Sequence, residues 1–218
     1  MQIFDAASLS DDDFSQILSF LRAGGVIGFP TDTAYGLGAD ASNEDAVRRI
    51  FEIKGRSESK PILLLVNSLK MTASVAHIPK IARRLAETLW PGPLTMILPA
   101  SRRLSTVVTA GTKGVGVRWP DAPFANRLTG GLGKPVTATS ANRSGKPAAA
   151  SASEVRTQLE GDLEMLIDGG ILPAPGGSTV LDLTHDTPLL IREGPVSFQR
   201  LHELLAGKIQ RADSGRGL

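Results

Sequence analysis

The chain of 218 residues contains no cysteine, few aromatic residues and no long apolar run. The lack of cysteine excludes a disulfide framework, a thiolate zinc site and a cysteine nucleophile. No apolar segment approaches the roughly 20 residues that a membrane-spanning helix needs, and the N-terminus lacks the pattern of a signal peptide. We therefore expect a soluble, cytoplasmic protein with no membrane partner.

Charge of one sign is also scarce, because 24 Lys and Arg residues stand against 22 Asp and Glu residues, a net charge of +2. Spread evenly, this excess is too small to drive binding to a nucleic acid backbone. Residues 208–218 contain three basic residues and one acid, which accounts for the whole excess. A basic binding site must therefore come from the placement of individual cations.

Helices and strands alternate along the chain, and its length fits one domain. Some predicted strands are separated by helices and others by short turns, which indicates an α/β (α+β) fold with a mixed sheet packed against helices. We predict one domain over residues 1–206 and a mobile tail over residues 207–218. The predicted strands are Val26–Phe29, Ile62–Val66, Leu94–Leu98, Gly114–Arg118, Pro135–Thr139, Met165–Asp168, Thr179–Leu183 and Leu189–Arg192.

Two helix starts are marked by capping residues. Ser10 precedes three acids, Asp11–Asp13, and acids at a helix N-terminus interact favourably with the helix dipole. Ser42 with Asp45 forms a second capping pair. The intervening stretch Pro30–Asp40 is predicted as a loop.

The common nucleotide-binding and catalytic signatures are missing. Gly133-Lys134 and Gly145-Lys146 are each followed by proline, so neither completes a P-loop. The segment Gly36–Ala41 fits G-x-G-x-x-A, but six residues separate it from the preceding strand, too many for a dinucleotide-binding turn. The three histidines share no metal-ligand spacing, and no serine lies in a recognisable triad. We therefore predict neither a protein metal site nor hydrolysis by an activated nucleophile.

Six short stretches are dense in hydroxyls, glycines and basic residues, and four of them begin or end at a predicted strand. Loops at strand ends can converge on one pocket. Arginine offers a planar fork to phosphate oxygens and lysine a mobile point charge. We predict a pocket for a phosphate-bearing substrate, with Lys54, Arg56, Arg118 and Arg192 available to it. The six stretches are Pro30–Gly38, Lys54–Arg56 with Lys60–Pro61, Gly114–Arg118, Thr137–Gly145, Gly176–Val180 and Leu190–Pro195.

Two of these stretches also have purely structural interpretations. The side chains of Asp32 and Thr33 can stabilise a turn by bonding to their own backbone. Lys54 can supply favourable charge at a helix C-terminus.

The order of the motifs resembles the YrdC/TsaC family over roughly residues 25 to 200. Each motif is weak alone, but seven in order form a specific pattern. They are Pro30–Gly38, Lys54–Arg56, Trp90–Thr95, Val117–Pro120, Thr139–Gly145, Ser178–Val180 and Ile191–Gly194.

The resemblance implies a YrdC-like fold whose twisted sheet has a concave basic face. It also implies a nucleotidyltransferase, an L-threonylcarbamoyladenylate synthase. Such enzymes form threonylcarbamoyl-AMP and pyrophosphate from L-threonine, bicarbonate or CO2, and ATP with Mg²⁺, for the t6A modification of tRNA. The implied partners are a downstream threonylcarbamoyl-transferase complex of the TsaD type and, as a further candidate, tRNA.

Roles for individual residues follow from the resemblance. Two basic residues are implied as catalytic, five residues as ATP-binding and three as L-threonine-binding, while Tyr35 is expected to shape the pocket wall. The catalytic residues are Lys54 and Arg56; the ATP-binding residues are Lys54, Arg56, Ser140, Asn142 and Arg192; the L-threonine-binding residues are Thr31, Arg118 and Ser178.

Two alternatives accompany this interpretation: a YciO-like paralogue, and an RNA-binding module that uses the concave basic face. Lys60 and Gly177 depart from the usual family pattern. The intact Lys54–Arg56 and Ser140–Asn142 motifs favour the synthase, and the low aromatic content disfavours the RNA-binding module.

Overall fold

The computed structural model describes residues 1–172 and 176–212. Within these ranges the chain forms eleven strands and eight helices, none of them long and apolar enough to span a membrane. The strands are β1 (Gln2–Asp5), β2 (Ile27–Pro30), β3 (Tyr35–Gly38), β4 (Leu63–Leu65), β5 (Leu94–Pro99), β6 (Gly114–Arg118), β7 (Val136–Ser140), β8 (Met165–Asp168), β9 (Thr179–Asp182), β10 (Leu189–Arg192) and β11 (Gln210–Arg211). The helices are α1 (Asp11–Arg22), α2 (Glu44–Lys54), α3 (Leu69–Val75), α4 (Lys80–Leu89), α5 (Thr106–Thr109), α6 (Pro123–Leu132), α7 (Ala152–Leu159) and α8 (Phe198–Leu204).

The strands join in the order β1-β8-β2-β3-β7-β4-β6-β5-β9-β10-β11. The sheet contains parallel pairs, such as β4 with β6 and β5 with β9, and antiparallel pairs, such as β5 with β6. The predicted α/β (α+β) fold with a mixed sheet is thereby confirmed.

Of the two predicted helix caps, one is confirmed and one is wrong. Ser10 accepts a hydrogen bond from the Asp13 N–H, and the Asp13 carboxylate accepts one from the Ser10 N–H, so α1 begins with a capping box. Helix α2 is instead capped by Asn43. Ser42 is unavailable because both its N–H and its hydroxyl donate to Asp40 Oδ1, at 2.8 and 2.6 Å.

The prediction of a loop over Pro30–Asp40 is also wrong, because β3 lies within it. Its two glycines lower the strand propensity of the segment, yet β3 pairs antiparallel with β2 along its whole length. At Gly38 a Cβ atom would lie 2.5 Å from the Phe29 ring, so the packing of β2 on β3 requires glycine there.

Part of the segment predicted as a tail is a strand. Residues 210–211 form β11, which pairs parallel with β10 at the sheet edge. The Gln210 N–H donates to Pro188 O at 3.0 Å and the Ala212 N–H to Leu190 O at 2.9 Å. Residues 213–218 of the predicted tail lie outside the described residues.

The two faces of the sheet are covered differently. On one face, α2, α4, α5, α7 and α8 pack over the strands and bury residues such as Ile50, Leu85 and Val155. On the other face, α1 and α6 cover mainly the end of the sheet near β2, where Phe29 packs with Phe124. The remainder of this second face, from β7 to β9, is left as an open concave surface.

Candidate active site

A cavity of about 750 Å³ lies on this open face and draws its lining from all six stretches singled out in the sequence. The predicted convergence on one pocket is therefore confirmed. Six of the eight predicted site residues line the cavity: Thr31, Arg56, Arg118, Ser140, Ser178 and Arg192. The other two, Lys54 and Asn142, lie beneath its wall, and the role of each residue stays a prediction.

Arg118, the last residue of β6, is 3% exposed and is held on three sides. Its guanidinium donates to Asp32 Oδ1, to Thr33 Oγ1 at 2.6 Å and to Gly92 O at 3.1 Å. Burial lowers the pKa of this guanidinium, and the neighbouring Asp32 carboxylate opposes that change. The cation is therefore fixed in place before any ligand arrives.

The turn between β2 and β3 holds Thr31 at the cavity wall. The Thr31 hydroxyl donates to Ala34 O at 2.6 Å and accepts from the N–H groups of Thr33 and Ala34, each at 3.2 Å. These three bonds use the full hydrogen-bonding capacity of a hydroxyl group. The stretch is thus a turn, but the prediction that Asp32 and Thr33 stabilise it is wrong. Thr31 is the stabilising residue, and the side chains of Asp32 and Thr33 accept hydrogen bonds from Arg118.

A β-bulge brings Arg192 to the cavity. In the pairing of β10 with β9, Leu190 lies opposite Leu181 but Arg192 lies opposite Val180, so Ile191 is an extra residue. Such a bulge changes the face on which the following side chain lies. Arg192 Nε then donates to Ser178 O at 3.0 Å, next to the Ser178 hydroxyl, which lies 2.7 Å from Thr95 Oγ1.

Lys54 and Arg56 are close in sequence but point to different places. Helix α2 ends at Lys54, and Gly55 adopts a left-handed conformation with φ of 59° that suits glycine. Arg56 turns to the cavity, where it donates to Thr139 Oγ1 at 3.1 Å and to Pro61 O at 2.9 Å. Its buried Nε has no hydrogen-bond partner among the residues that the structure describes.

Lys54 is 4% exposed and holds the loop that follows β7 from below. Its ammonium donates to Ser140 O and, at 2.8 Å, to Asn142 O, and the Ser144 N–H returns a bond to Lys54 O at 2.9 Å. Asn142 braces the same loop by donating to Lys146 O at 2.7 Å. Burial, and secondarily the charge of Arg56, lowers the pKa of Lys54 to about 7.

Tyr35 is fully buried at the edge of the cavity. Its hydroxyl donates to Gly170 O at 2.8 Å and accepts from the Gly169 N–H at 2.9 Å. Burial raises the pKa of this phenol to about 12. Both properties fit the predicted role in shaping the wall and disfavour acid–base chemistry.

Several lining residues carry no role in the sequence-based prediction. Thr95 and Asp182 lie on β5 and β9, and Lys113 precedes β6 at the mouth of the cavity. For two of them, the alternation of side chains between the two faces of a strand could have indicated a position in the cavity. Thr95 lies between the buried Leu94 and Met96, and Asp182 follows the buried Leu181, so both belong to the face opposite the core.

Arginines and hydroxyls that converge on the open face of a mixed sheet are suited chemically to a small anionic ligand. A family model named Sua5/YciO/YrdC, with the description "Telomere recombination", matches residues 19–194. The chain belongs to this family, and the predicted resemblance is confirmed.

Relatives of known name cover most of the chain. The threonylcarbamoyl-AMP synthase of Pyrococcus abyssi is 41% identical over 187 residues, which are 85% of this chain and 55% of that protein. The Bacillus subtilis protein of the same name is 37% identical over 94% of this chain and 60% of its own length. The chain thus spans between half and two thirds of these two relatives. It covers all of the threonylcarbamoyl-AMP synthase of Vibrio parahaemolyticus, at 32% identity over 84% of this chain.

Solved structures confirm the YrdC-like fold. The structure of P. abyssi Sua5 complexed with L-threonine has a TM-score of 0.95 at 36% identity, covering 100% of this chain and 65% of that one. The structure of E. coli YciO has a TM-score of 0.81 at 30% identity, covering 89% of this chain and 96% of that one.

Proposed function

We propose that the protein is an L-threonylcarbamoyladenylate synthase, a nucleotidyltransferase that makes threonylcarbamoyl-AMP and pyrophosphate from L-threonine, bicarbonate or CO2, and ATP. The observation that carries this proposal is a single cavity with a buried, fixed Arg118 at one end and two further arginines, Arg56 and Arg192, in its lining. One guanidinium suits an amino-acid carboxylate and the other two suit a polyphosphate. The names of relatives matched over 84–94% of the chain support the same reaction.

The reaction suits a site that positions its substrates without a nucleophile of its own. The threonine amine adds to CO2 and releases a proton, which gives a carbamate. A carbamate oxygen then attacks the α-phosphorus of ATP, a new P–O bond forms, and the bond to pyrophosphate breaks. Arg118 would hold the threonine carboxylate next to Ser178, and Arg56 and Arg192 would neutralise charge on the phosphates. Lys54 and Asn142 would act by holding the loop that presents Ser140.

Mg²⁺ enters this proposal on the phosphates of ATP. No three His, Asp or Glu side chains gather into a metal-ligand group within residues 1–172 and 176–212. The cavity lining consists mainly of arginines, hydroxyls and apolar groups. Mg²⁺ commonly keeps several waters and binds substrate phosphates, where it neutralises charge. No dedicated cage in the protein is needed for that role.

The decisive experiment measures pyrophosphate release from ATP with L-threonine and bicarbonate, each omitted in turn. We expect release to require both, and a rate unchanged without threonine would show that the proposal is wrong. Arg192→Ala should lose turnover, whereas the matched control Arg200→Ala should not, because Arg200 is an exposed residue of α8 that pairs with Glu203.

The wider setting is part of the same proposal. The product would pass to a threonylcarbamoyl-transferase complex of the TsaD type for t6A modification of tRNA, with tRNA itself a further candidate partner. Because ATP, threonine and tRNA are found in the cytoplasm, we propose that the protein acts there. The YciO-like alternative has less support, since the TM-score to YciO is 0.81 against 0.95 for Sua5. The RNA-binding alternative also has less support, because the chain contains few of the aromatic residues on which bases stack.

A further inference from the structure

The register of the strands arranges the cavity floor in rows that run across the sheet. Ile97 of β5 pairs with Gly116 of β6 on one side and with Asp182 of β9 on the other. Leu63 of β4 completes this row, because its Cα and Cδ1 atoms lie within 4 Å of a Cβ built on Gly116. We name Leu63, Gly116 and Ile97 the shelf; Asp182 stands at its end.

The neighbouring row carries the charged groups. Thr95 lies two residues from Ile97 on β5 and pairs with Val180, which itself pairs with Arg192. Arg118 lies two residues beyond Gly116 on β6. Alternate residues of a strand face the same side and are about 7 Å apart, so the apolar shelf lies about 7 Å from the row of cations.

Gly116 keeps the shelf flat for a reason other than protein packing. A Cβ at this position would lie 3.6 Å from both Leu63 Cδ1 and Thr95 Cγ2, an ordinary contact distance, and its φ is not in the left-handed region. Gly38, in contrast, is required by the Phe29 ring. A glycine inside a strand that packing does not require points to the close approach of a ligand.

Asp182 is the single acid in the described lining of a cavity otherwise suited to anions. Its Oδ1 accepts from the Thr184 N–H at 2.8 Å and from the Thr184 hydroxyl at 2.7 Å, which fixes the side chain. Among the described residues, the basic side chain recorded near Oδ2 is that of His185, with Nε2 at 3.6 Å. Oδ2 therefore offers an oriented acceptor at the end of an apolar shelf.

We propose that the shelf binds the purine base of the nucleotide and that Asp182 Oδ2 accepts a hydrogen bond from the 6-amino group of adenine. The inference rests on the proposed function, which supplies ATP as the nucleotide. A flat apolar floor suits the face of an aromatic base, and the row of arginines is within reach of its phosphates. Hypoxanthine carries a carbonyl oxygen in place of the amino group, and that oxygen would face the carboxylate with no proton between them.

The test compares ATP with inosine triphosphate, both by direct calorimetric binding and by threonine-dependent pyrophosphate release. Wild-type protein should prefer ATP by about tenfold or more, because a buried acceptor left unpaired rejects the analogue. Asp182→Asn keeps an oxygen for Thr184 but presents an amide N–H₂, so the preference should fall to about one or reverse. His185→Ala is the matched control and should keep the wild-type preference.

Two results would overturn this assignment. The first is an unchanged preference for ATP in Asp182→Asn. The second is a changed Mg²⁺ dependence without a changed base preference, which would mean that Asp182 acts on the metal ion and not on the base. Because binding is measured without threonine, it tests the base site even if wild-type protein shows no threonine-dependent turnover, the result that would overturn the proposed function.

A second pair of variants tests the shelf. Gly116→Ala and Gly116→Val should keep or raise the melting temperature, since a strand gains from replacing glycine where space allows. ATP affinity should fall progressively from Gly to Ala to Val, while threonine affinity, measured separately, stays unchanged. Equal loss of both affinities would contradict a base-specific shelf.

Discussion

The cavity holds its cations in two different ways at two places. Arg118 is buried and its guanidinium already bonds to a carboxylate, a hydroxyl and a carbonyl. Arg192 is exposed and makes one hydrogen bond of ordinary length, and the buried Nε of Arg56 has no partner within the described residues. Arg118 therefore already has a carboxylate as its counter-charge, whereas no salt bridge to Arg56 or Arg192 is recorded among the described residues. We expect a ligand to supply the counter-charge at that second place.

This difference matches the two substrates of the proposed reaction. A small amino acid makes few contacts, so its site gains most from donors that are fixed in advance. A triphosphate brings several negative charges, and it can order more loosely held arginines as it binds. We therefore expect substitutions at the first place to affect folding and threonine together, and those at the second to affect ATP alone.

The largest expected effect is at Arg118. Arg118→Met leaves the Asp32 carboxylate without its partner, so the free energy of unfolding should fall by about 3–5 kcal/mol. Urea denaturation measures this loss. Adding Asp32→Asn should recover much of the stability but none of the threonine affinity. If Arg118→Met alone unfolded at the same urea concentration as wild type, the contrast between Arg118 and the other two arginines would be wrong.

Arg192→Ala should have a smaller and more selective effect. Loss of a charge-assisted phosphate contact should weaken ATP binding by about 1.5–3 kcal/mol. The free energy of unfolding should change by less than about 0.5 kcal/mol, as is usual for exposed residues. Calorimetric binding of ATP and of threonine, combined with urea denaturation, separates the effect on ligand affinity from the effect on stability. A loss of threonine affinity as large as the loss of ATP affinity would show that Arg192 does not act on ATP alone.

The pH dependence of Lys54 should be visible in two opposite trends. Its pKa is lowered from 10.5 to about 7, so the unfolded chain binds more protons than the folded one between these values, and stability should rise with pH there. ATP favours the charged ammonium, so its affinity should fall as pH rises from 7 to 9, by at most about tenfold per pH unit. Lys54→Met should flatten both trends, and parallel slopes in wild type and variant would exclude Lys54 as their source.

The smallest effect is expected at Tyr35. Tyr35→Phe removes the hydroxyl that joins Gly169 and Gly170, at a cost of about 1 kcal/mol in the free energy of unfolding. Turnover should stay at the wild-type level because a phenol with a pKa of about 12 is a poor acid or base at neutral pH. A large loss of turnover without loss of stability would give Tyr35 a chemical role.

Much of this architecture could be predicted from local signals. Strand β6 has the predicted bounds, Gly114–Arg118, because its residues alternate between core and cavity. Strands β8 and β10 also have the predicted bounds, and the acids after Ser10 correctly predicted the start of α1. The convergence of the six stretches on one cavity was predicted because four of them begin or end at a strand.

What the sequence could not provide depends on tertiary contacts. Two glycines make the sequence of β3 resemble a loop, and the Phe29 ring that requires one of them, Gly38, is a tertiary contact. The separation of Lys54 from Arg56 depends on the left-handed conformation of Gly55. The rows that join Gly116, Ile97 and Asp182 depend on the register between strands distant in sequence.

The bulge in β10 decides which side chain of that strand reaches the cavity. If the pairing continued past Leu190 without the bulge, Ile191 would pair with Val180 and Arg192 with Thr179, whose side chain faces the opposite side of the sheet from Val180. The arginine would then keep its place in the sequence but lie on the face away from the cavity. A return of β10 to regular pairing, which changes no residue and no charge, would thus remove one guanidinium from the cavity while the fold is kept. The register of β10, as much as the identity of Arg192, determines the composition of the cavity wall.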